Sequence, residues 1–432
     1  MNFWIIHAQE PLPQPLSVGS RRLWRTNTIA EFLAARGHRV VRWRSAFSHY
    51  EKRYLVNGSV RTNFENVEYQ FLKGPKYPHN IGARRVIHHR RIAEEFSKLA
   101  RAAPDLPDLI HVGNVPLELC EAAVRFGKEM DIPVVLDIRD LWPDIYLDLV
   151  PRPLRFLKPV VRALLHFSYR SARYSMSNAT AITGITEPFV DWGVKLSRRE
   201  RRVSDRVFHM SYPESKGLKD PDAIKILQGR LGLAGGEFIA CYFGNLGYQS
   251  DFRTLLNAAK LIPPHSPIRF VICGDGPKLP ALRREAAGMT NVILPGWIDP
   301  MHIPHLMHIA SVGLLPFKDT DNYVLNMPNK FSEYLSGGLV LACGVRGEMA
   351  SLVRANHCGF VYPTGDAIAL AGELQAISAD PDRCAKMKAQ SRHLFRTQFN
   401  CEVVYAELCD YLEDLAERGS HSKPIPTSLL RN

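Results

Sequence analysis

The chain has 432 residues, 46% of them hydrophobic and 23% charged, which excludes a disordered polypeptide and is too long for one compact core; two domains of about 200 residues each are expected. No run of about 18 apolar residues occurs, so no segment reads as an apolar helix crossing a bilayer. The net charge of +12 is lopsided: residues 1–205 carry 32 Lys and Arg against 21 Asp and Glu, residues 206–432 carry 23 against 22, and the first half is expected to face something anionic.

Short β-branched or aromatic runs alternate with helical patterns along the chain. The runs are 3–7, 39–43, 69–72, 109–112, 133–138 and 180–185, then 238–243, 268–273, 292–294, 311–315 and 339–342. The first reads as a strand rather than a signal peptide, because it lacks a basic lead and turns polar within a few residues. Several runs are apolar almost throughout, as strands covered on both faces must be. Strand, helix, strand repeated through both halves predicts an α/β protein of two doubly wound, Rossmann-like parallel sheets. Such sheets bind ligands at the carboxyl ends of their strands, so a cleft between the two domains is the default site. The boundary is placed near 206–220, giving a basic domain over 1–205 and a second over 206–395; residues 396–417 form a final helix expected to pack back on the first domain, and the polar tail 418–432 is expected to be disordered. The eight cysteines are scattered without a Cys-x-x-Cys pair and read as buried free thiols of a reducing cytoplasm.

Four segments of the second half fall where phosphate chemistry needs them. Phe243-Gly244-Asn245-Leu246-Gly247 ends one strand ahead of a helix starting near Asp251. Glycines there let backbone amides approach a phosphate, and a helix N-terminus favours negative charge. Gly274-Asp275-Gly276 ends the next strand, and Gly296-Trp297 ends the third; each alone reads equally well as a tight turn. The fourth is Asn326-Met327-Pro328-Asn329-Lys330-Phe331-Ser332-Glu333-Tyr334. Proline suits a helix start. Lys330 and Glu333, three apart, share a helix face, the lysine placed for a diphosphate and the carboxylate for the two hydroxyls of a ribose. The plainer alternative is an exposed ion pair contributing about 0.2–0.5 kcal/mol.

Taken together, Phe243-Gly244-Asn245, Gly274-Asp275-Gly276, Gly296-Trp297, Pro328-x-Lys330-x-x-Glu333-Tyr334-Leu335-x-x-Gly338 and Gly359-Phe360 resemble the donor domain of retaining GT-B glycosyltransferases, the large family-four group with a Glu-x7-Glu motif. The first half adds His7-Ala8-Gln9-Glu10-Pro11, Arg25-Thr26-Asn27, Arg36-Gly37-His38 and Asp137-Ile138-Arg139-Asp140-Leu141-Trp142-Pro143-Asp144, similar to bacterial transferases of O-antigen, capsule and exopolysaccharide synthesis, the N-acetylfucosaminyltransferase-like subgroup among them. The resemblance implies a transferase that takes a HexNAc or deoxy-HexNAc from a nucleotide-sugar, UDP-linked in the first instance, and passes it to a lipid-diphosphate-linked saccharide. It implies no cofactor and no metal. Donor contacts carried over are Gly19, Gly244, Asn245, Gly274, Gly296, Trp297, Asn326, Pro328, Lys330 and Glu333. Glu333 matches the second glutamate of the motif. The first is replaced by Leu325, and Asn326 and Lys330 stand nearest to substitute for it. The family's diphosphate-gripping cations are replaced by Asn245 and Ser250, which leaves Lys330 as the main cation. Asp140, Arg139 and Asp137 fall where relatives orient the acceptor; an Arg–Asp pair fixing the loop is the equal alternative.

No carboxylate occurs between Asp148 and Glu187, and Arg155, Lys158, Arg162, His166, Arg170 and Arg173 recur every three or four residues as one stripe. Leu157, Val160, Val161, Leu164 and Phe167 take the other side, expected to pack in the core. An anionic leaflet attracts such a stripe with about 1 kcal/mol per basic residue. Peripheral attachment to the inner face of the plasma membrane is therefore expected. Two competing functions remain from sequence: a UDP-sugar 2-epimerase of the same fold, which the basic stripe disfavours, and a basic nucleic-acid-binding protein, which leaves the donor segment unexplained.

Overall fold

The computed structural model describes residues 1–12, 14–15, 21–22, 24–80, 82–148, 150–214 and 220–421. They divide into two compact units: the first comprises residues 1–15, 21–208 and the C-terminal segment from Tyr405, the second residues 209–404.

The first unit is built on strands β1 (Asn2–Ile6), β2 (Arg39–Ser45), β3 (Arg61–Phe64), β4 (Val67–Leu72), β5 (Leu109–Gly113), β6 (Val134–Ile138), β7 (Ala181–Gly184) and β8 (Arg206–Val207). Their order is β8-β7-β6-β5-β1-β2-β4-β3, parallel except that β3 runs antiparallel to β4. The central strand β1 is buried because every residue from Phe3 to Ile6 is large and apolar. Trp4 stacks on Phe126 of the helix Leu117–Glu129 with ring centroids 5.5 Å apart. The helix Cys401–His421 returns to this unit: Arg36 meets Asp410 at 2.6 Å and Glu413 at 3.0 Å, and the Tyr411 hydroxyl donates to the Ser204 carbonyl at 2.6 Å. The unit ends at Phe208 rather than 205, and the chain rejoins it at Tyr405 rather than 396. The helix also runs four residues into the stretch expected to be a disordered tail, and residues 422–432 lie outside the described ones.

The second unit has β9 (Phe238–Phe243), β10 (Ile268–Cys273), β11 (Val292–Gly296), β12 (Val312–Leu315), β13 (Val340–Cys343) and β14 (Gly359–Val361), all parallel, in the order β11-β10-β9-β12-β13-β14. Side chains alternate as the pleat requires: Ile239, Cys241 and Phe243 enter one hydrophobic layer, Ala240 and Tyr242 the other. The strand order reverses between β9 and β12, and the carboxyl ends of these two flank the crevice where doubly wound sheets take ligands. All eight cysteines are buried as free thiols, and burial pushes Cys120 and Cys273 up to about 12.

Candidate donor and acceptor sites

In the second unit the carboxyl end of β9 opens into Gly244, whose φ of +139° lies in the region glycine favours. A Cβ there would stand 2.2 Å from the Lys330 ammonium nitrogen. The lysine therefore lies against bare backbone, its cation 5.1 Å from the centre of the Tyr242 ring. A Cβ on Gly274, at the end of β10, would meet the Gly244 carbonyl oxygen at 1.8 Å. Two strand exits are thus pressed together by the absence of side chains. Their backbone is held by Gly244 N–H donating to the Cys273 carbonyl at 3.0 Å and Gly274 N–H to that of Gly296 at 2.7 Å.

Two helix N-termini lie near this turn, and their caps separate them. The helix Phe252–Leu261 is capped by the Asp251 carboxylate, which accepts from the Thr254 amide at 3.4 Å and its hydroxyl at 2.6 Å. That end already carries the Asp251 negative charge, which disfavours a second anion there. The helix Asn329–Ser336 is preceded by Pro328, has no side-chain cap and no acid in its first turn, and carries Lys330 as its second residue. Its amides and the ammonium make the anion-attracting end of the sheet. Glu333 follows one turn on and is 2% exposed. Burial raises the Tyr242 phenol above its ordinary range, with the Glu333 charge adding to the rise. Asn326 is 7% exposed, and its side-chain carbonyl, like that of Asn329, is buried without a hydrogen-bond donor in the described structure. Buried acceptors of this kind call for a donor such as a ligand hydroxyl.

Of the residues expected to bind donor, Gly244 and Lys330 meet at the β9 exit, Pro328 and Glu333 belong to the start and body of the helix that carries Lys330, and Asn326 lies two residues ahead of Pro328. Asn245 is exposed beside them, its carbonyl accepting from the Tyr242 hydroxyl at 2.9 Å. Gly274 and Gly296 shape the turn from behind. Trp297 stands 65% exposed beyond β11, two strands from β9. Gly19 lies outside the described residues.

In the first unit the strand ends hold a buried ion network. The Arg25 guanidinium grips Asp137 with two hydrogen bonds, 3.0 and 3.1 Å, both side chains at 0% exposure. Asp137 also accepts from the Thr183 hydroxyl at 3.0 Å and from Arg139 at 2.7 Å. Burial alone would raise the Asp137 carboxyl; Arg25 and Arg139 overcome it and hold the group well below the usual carboxylate range. Asp137, expected to orient an acceptor, instead ties β6 to the helix Arg25–Ala35, and the network leaves it no face for a ligand. Glu10, expected only as part of the motif after the first strand, accepts from the Thr26 amide at 2.8 Å and the Asn27 amide at 3.3 Å through its carboxylate, capping that helix from across the chain. Only an acid after the first strand hinted at this, and the cap joins residues 16 apart.

Arg139 reaches Glu10 at 3.4 Å through Nη1 and Asp137 through Nε, while its Nη2 is buried without a hydrogen-bond partner among the described residues. Asp140 is different. Burial, opposed by Arg139, pushes its carboxyl up to about 6. Its backbone carbonyl is pinned by the Asn114 amide at 2.7 Å. Around it lie features that sequence reasoning passed over: Arg85 donates to His89 at 3.3 Å and stacks over Trp142 at 5.2 Å, and Tyr50 is raised to about 12 by burial, with Glu10 and Asp140 adding.

The basic stripe departs most from expectation. Arg155, Arg162 and Arg170 are exposed, while Lys158 and Arg173 are half-buried. The apolar side does not pack in a core: Val160 is 56% exposed, Leu164 79% and Phe167 74%.

Residues 237–380 match the family model described as glycosyl transferases group 1. Among curated proteins the chain is similar to a protein named as the colanic acid biosynthesis glycosyltransferase WcaL of Escherichia coli (strain K12), 29% identical over 34% of this chain and 37% of the relative. It is also similar to the alpha-monoglucosyldiacylglycerol synthase of Streptococcus pneumoniae, 22% identical over 66% of this chain and 63% of the relative. The chain thus spans little more than a third of the first relative's length and under two thirds of the second's. Among solved structures it is similar to HepE of Anabaena in complex with UDP, with TM-score 0.65 and 14% identity over 96% of this chain and all of that one. Sucrose-phosphate synthase of Thermosynechococcus elongatus gives TM-score 0.72 and 16% identity over 96% of this chain and 99% of that one. The chain therefore has the two-domain Rossmann-like GT-B fold, and the glycosyl transferases group 1 model matches its residues 237–380.

Proposed function

We propose that the chain is a retaining glycosyltransferase that moves a sugar, a HexNAc or deoxy-HexNAc, from a UDP-linked donor to a lipid-diphosphate-linked saccharide in bacterial surface polysaccharide synthesis. One observation carries the donor half: the Lys330 ammonium lies against the side-chain-free Gly244 at the end of β9, with the uncapped helix end before it and Glu333 one turn behind. In this reading the diphosphate takes the ammonium and the helix amides, and Glu333 accepts the ribose hydroxyls. The charge that grows on the leaving diphosphate is met by fixed groups without a metal. Asn326, in the region vacated by the family's first glutamate, offers its unsatisfied carbonyl to a sugar hydroxyl. UDP and UDP-glucose in the HepE structures support the choice of nucleotide. In the first unit Asp140 faces the acceptor, Arg139 backs it, and the lipid-linked acceptor keeps the enzyme at the inner face of the membrane.

The test is incubation with a panel of UDP-sugars and membrane lipid. Sugar appearing on lipid, with slow UDP release when lipid is left out, supports the reading. Interconversion of the sugar instead indicates an epimerase, and salt-sensitive RNA binding without sugar chemistry indicates the third class.

A further inference from the structure

Residues 152–167 form a turn of 3-10 helix, Arg152–Leu157, running into the helix Lys158–Leu164, with a break at Leu165 before the helix His166–Asn178. Six large apolar side chains here face solvent: Leu154, Phe156 at 73% exposure, Leu157, Val160, Leu164 and Phe167. Scattered single exposures need no explanation, but a cluster within fourteen residues does. Arg155, Arg162 and Arg170 are exposed in the same stretch, and no acid occurs from 149 to 186. Arg162 lies over the Tyr169 ring at 4.6 Å, which holds its charge beside the apolar surface. A helix with large apolar residues on one side and only basic charge on the other lies in the plane of a membrane interface, with its apolar side at the boundary of headgroups and acyl chains.

We propose that residues 152–167 seat the first unit on an anionic bilayer by inserting Leu154, Phe156, Val160, Leu164 and Phe167, with Arg155, Arg162 and Arg170 on lipid phosphates. The basic stripe by itself gives a purely electrostatic attachment. The exposed apolar side makes the attachment partly hydrophobic and hence resistant to salt. The inference deepens the proposed function by naming what holds the enzyme beside a lipid-linked acceptor, and it is tested without any transfer assay.

The experiment is co-sedimentation of the full chain with phosphatidylcholine vesicles, with and without phosphatidylglycerol, at low salt and at about 1 M salt, where the screening length falls to about 3 Å. The wild type is expected to bind the anionic vesicles and to keep a substantial bound fraction in high salt. The variant Phe156→Ser/Leu164→Ser/Phe167→Ser is expected to lose the salt-resistant fraction and bind at least about tenfold more weakly overall. The variant Arg155→Glu/Arg162→Glu/Arg170→Glu is expected to lose the preference for anionic lipid. An unchanged thermal midpoint shows that each variant folds, as substitution of exposed side chains should allow. Wild-type binding abolished by salt, or a serine variant that sediments like the wild type, overturns the proposal. So does a wild-type dimer that the serine variant converts to monomer while lipid recovery stays the same, since the apolar face would then belong to a second copy. A chain that fails to bind UDP but passes this test refutes the donor reading alone.

Discussion

The carboxyl edges of the two sheets use charge in opposite ways. In the first unit Arg25, Asp137, Arg139 and Glu10 are turned on one another, and the edge is a lock that fixes β6 and a helix end. In the second, glycine exits and a helix start without a cap leave Lys330 beside bare backbone. Charged residues thus tie elements together at the first edge, whereas at the second the backbone around Lys330 is stripped of side chains, where the donor is proposed to bind. Mutations should separate the two edges by what they damage.

The largest effect is expected at Asp137. Asp137→Asn leaves Arg25 buried with half its compensation, a change that costs about 3–5 kcal/mol of stability. Urea unfolding should show it, with loss of activity only in proportion to the folded fraction; a variant as stable as wild type but inactive would return Asp137 to the reacting centre. Lys330→Ala and Glu333→Ala are expected to do the reverse, lowering kcat/KM about 10²–10³-fold with the unfolding midpoint nearly unchanged. Gly244→Ala comes next: strain at its positive φ and the displaced ammonium together should cost about 1–3 kcal/mol, read as lower stability and weaker UDP binding.

The smallest and most discriminating effect concerns Asp140. Its folded value near 6 lies above the ordinary carboxylate range, so the group becomes neutral as pH falls through about 6. If its ionised form accepts from the acceptor hydroxyl, wild-type activity falls on that acid limb. Asp140→Asn should be about tenfold slower at pH 8, flat through the limb, and closer to wild type below pH 6. An unaltered limb in Asp140→Asn would assign the titration elsewhere.

Most of the fold was legible because apolar, β-branched runs report strands covered on both faces, and β9 to β13 fall where such runs occur. The short strands β3, β8 and β14 were missed, since two to four residues carry no period. Lys330 and Glu333 were legible from their helix spacing. What spacing could not tell was burial. An amphipathic pattern is the same whether its apolar side meets a core or water, and so Leu164 and Phe167 were placed inside when they stand outside. An Asp at a strand end likewise looks the same as ligand or as lock; Asp137 is the lock because Arg25, 112 residues away, folds onto it. The Glu10 cap escaped notice for the same reason.

The central claim, that the β9 exit holds a nucleoside diphosphate between Lys330 and Glu333, is tested most directly by titration calorimetry with UDP. The wild type should bind, and Lys330→Ala and Glu333→Ala, each folded by thermal midpoint, should weaken binding at least about tenfold, or about 1.4 kcal/mol. Equal UDP affinity in the wild type and both folded variants would contradict it.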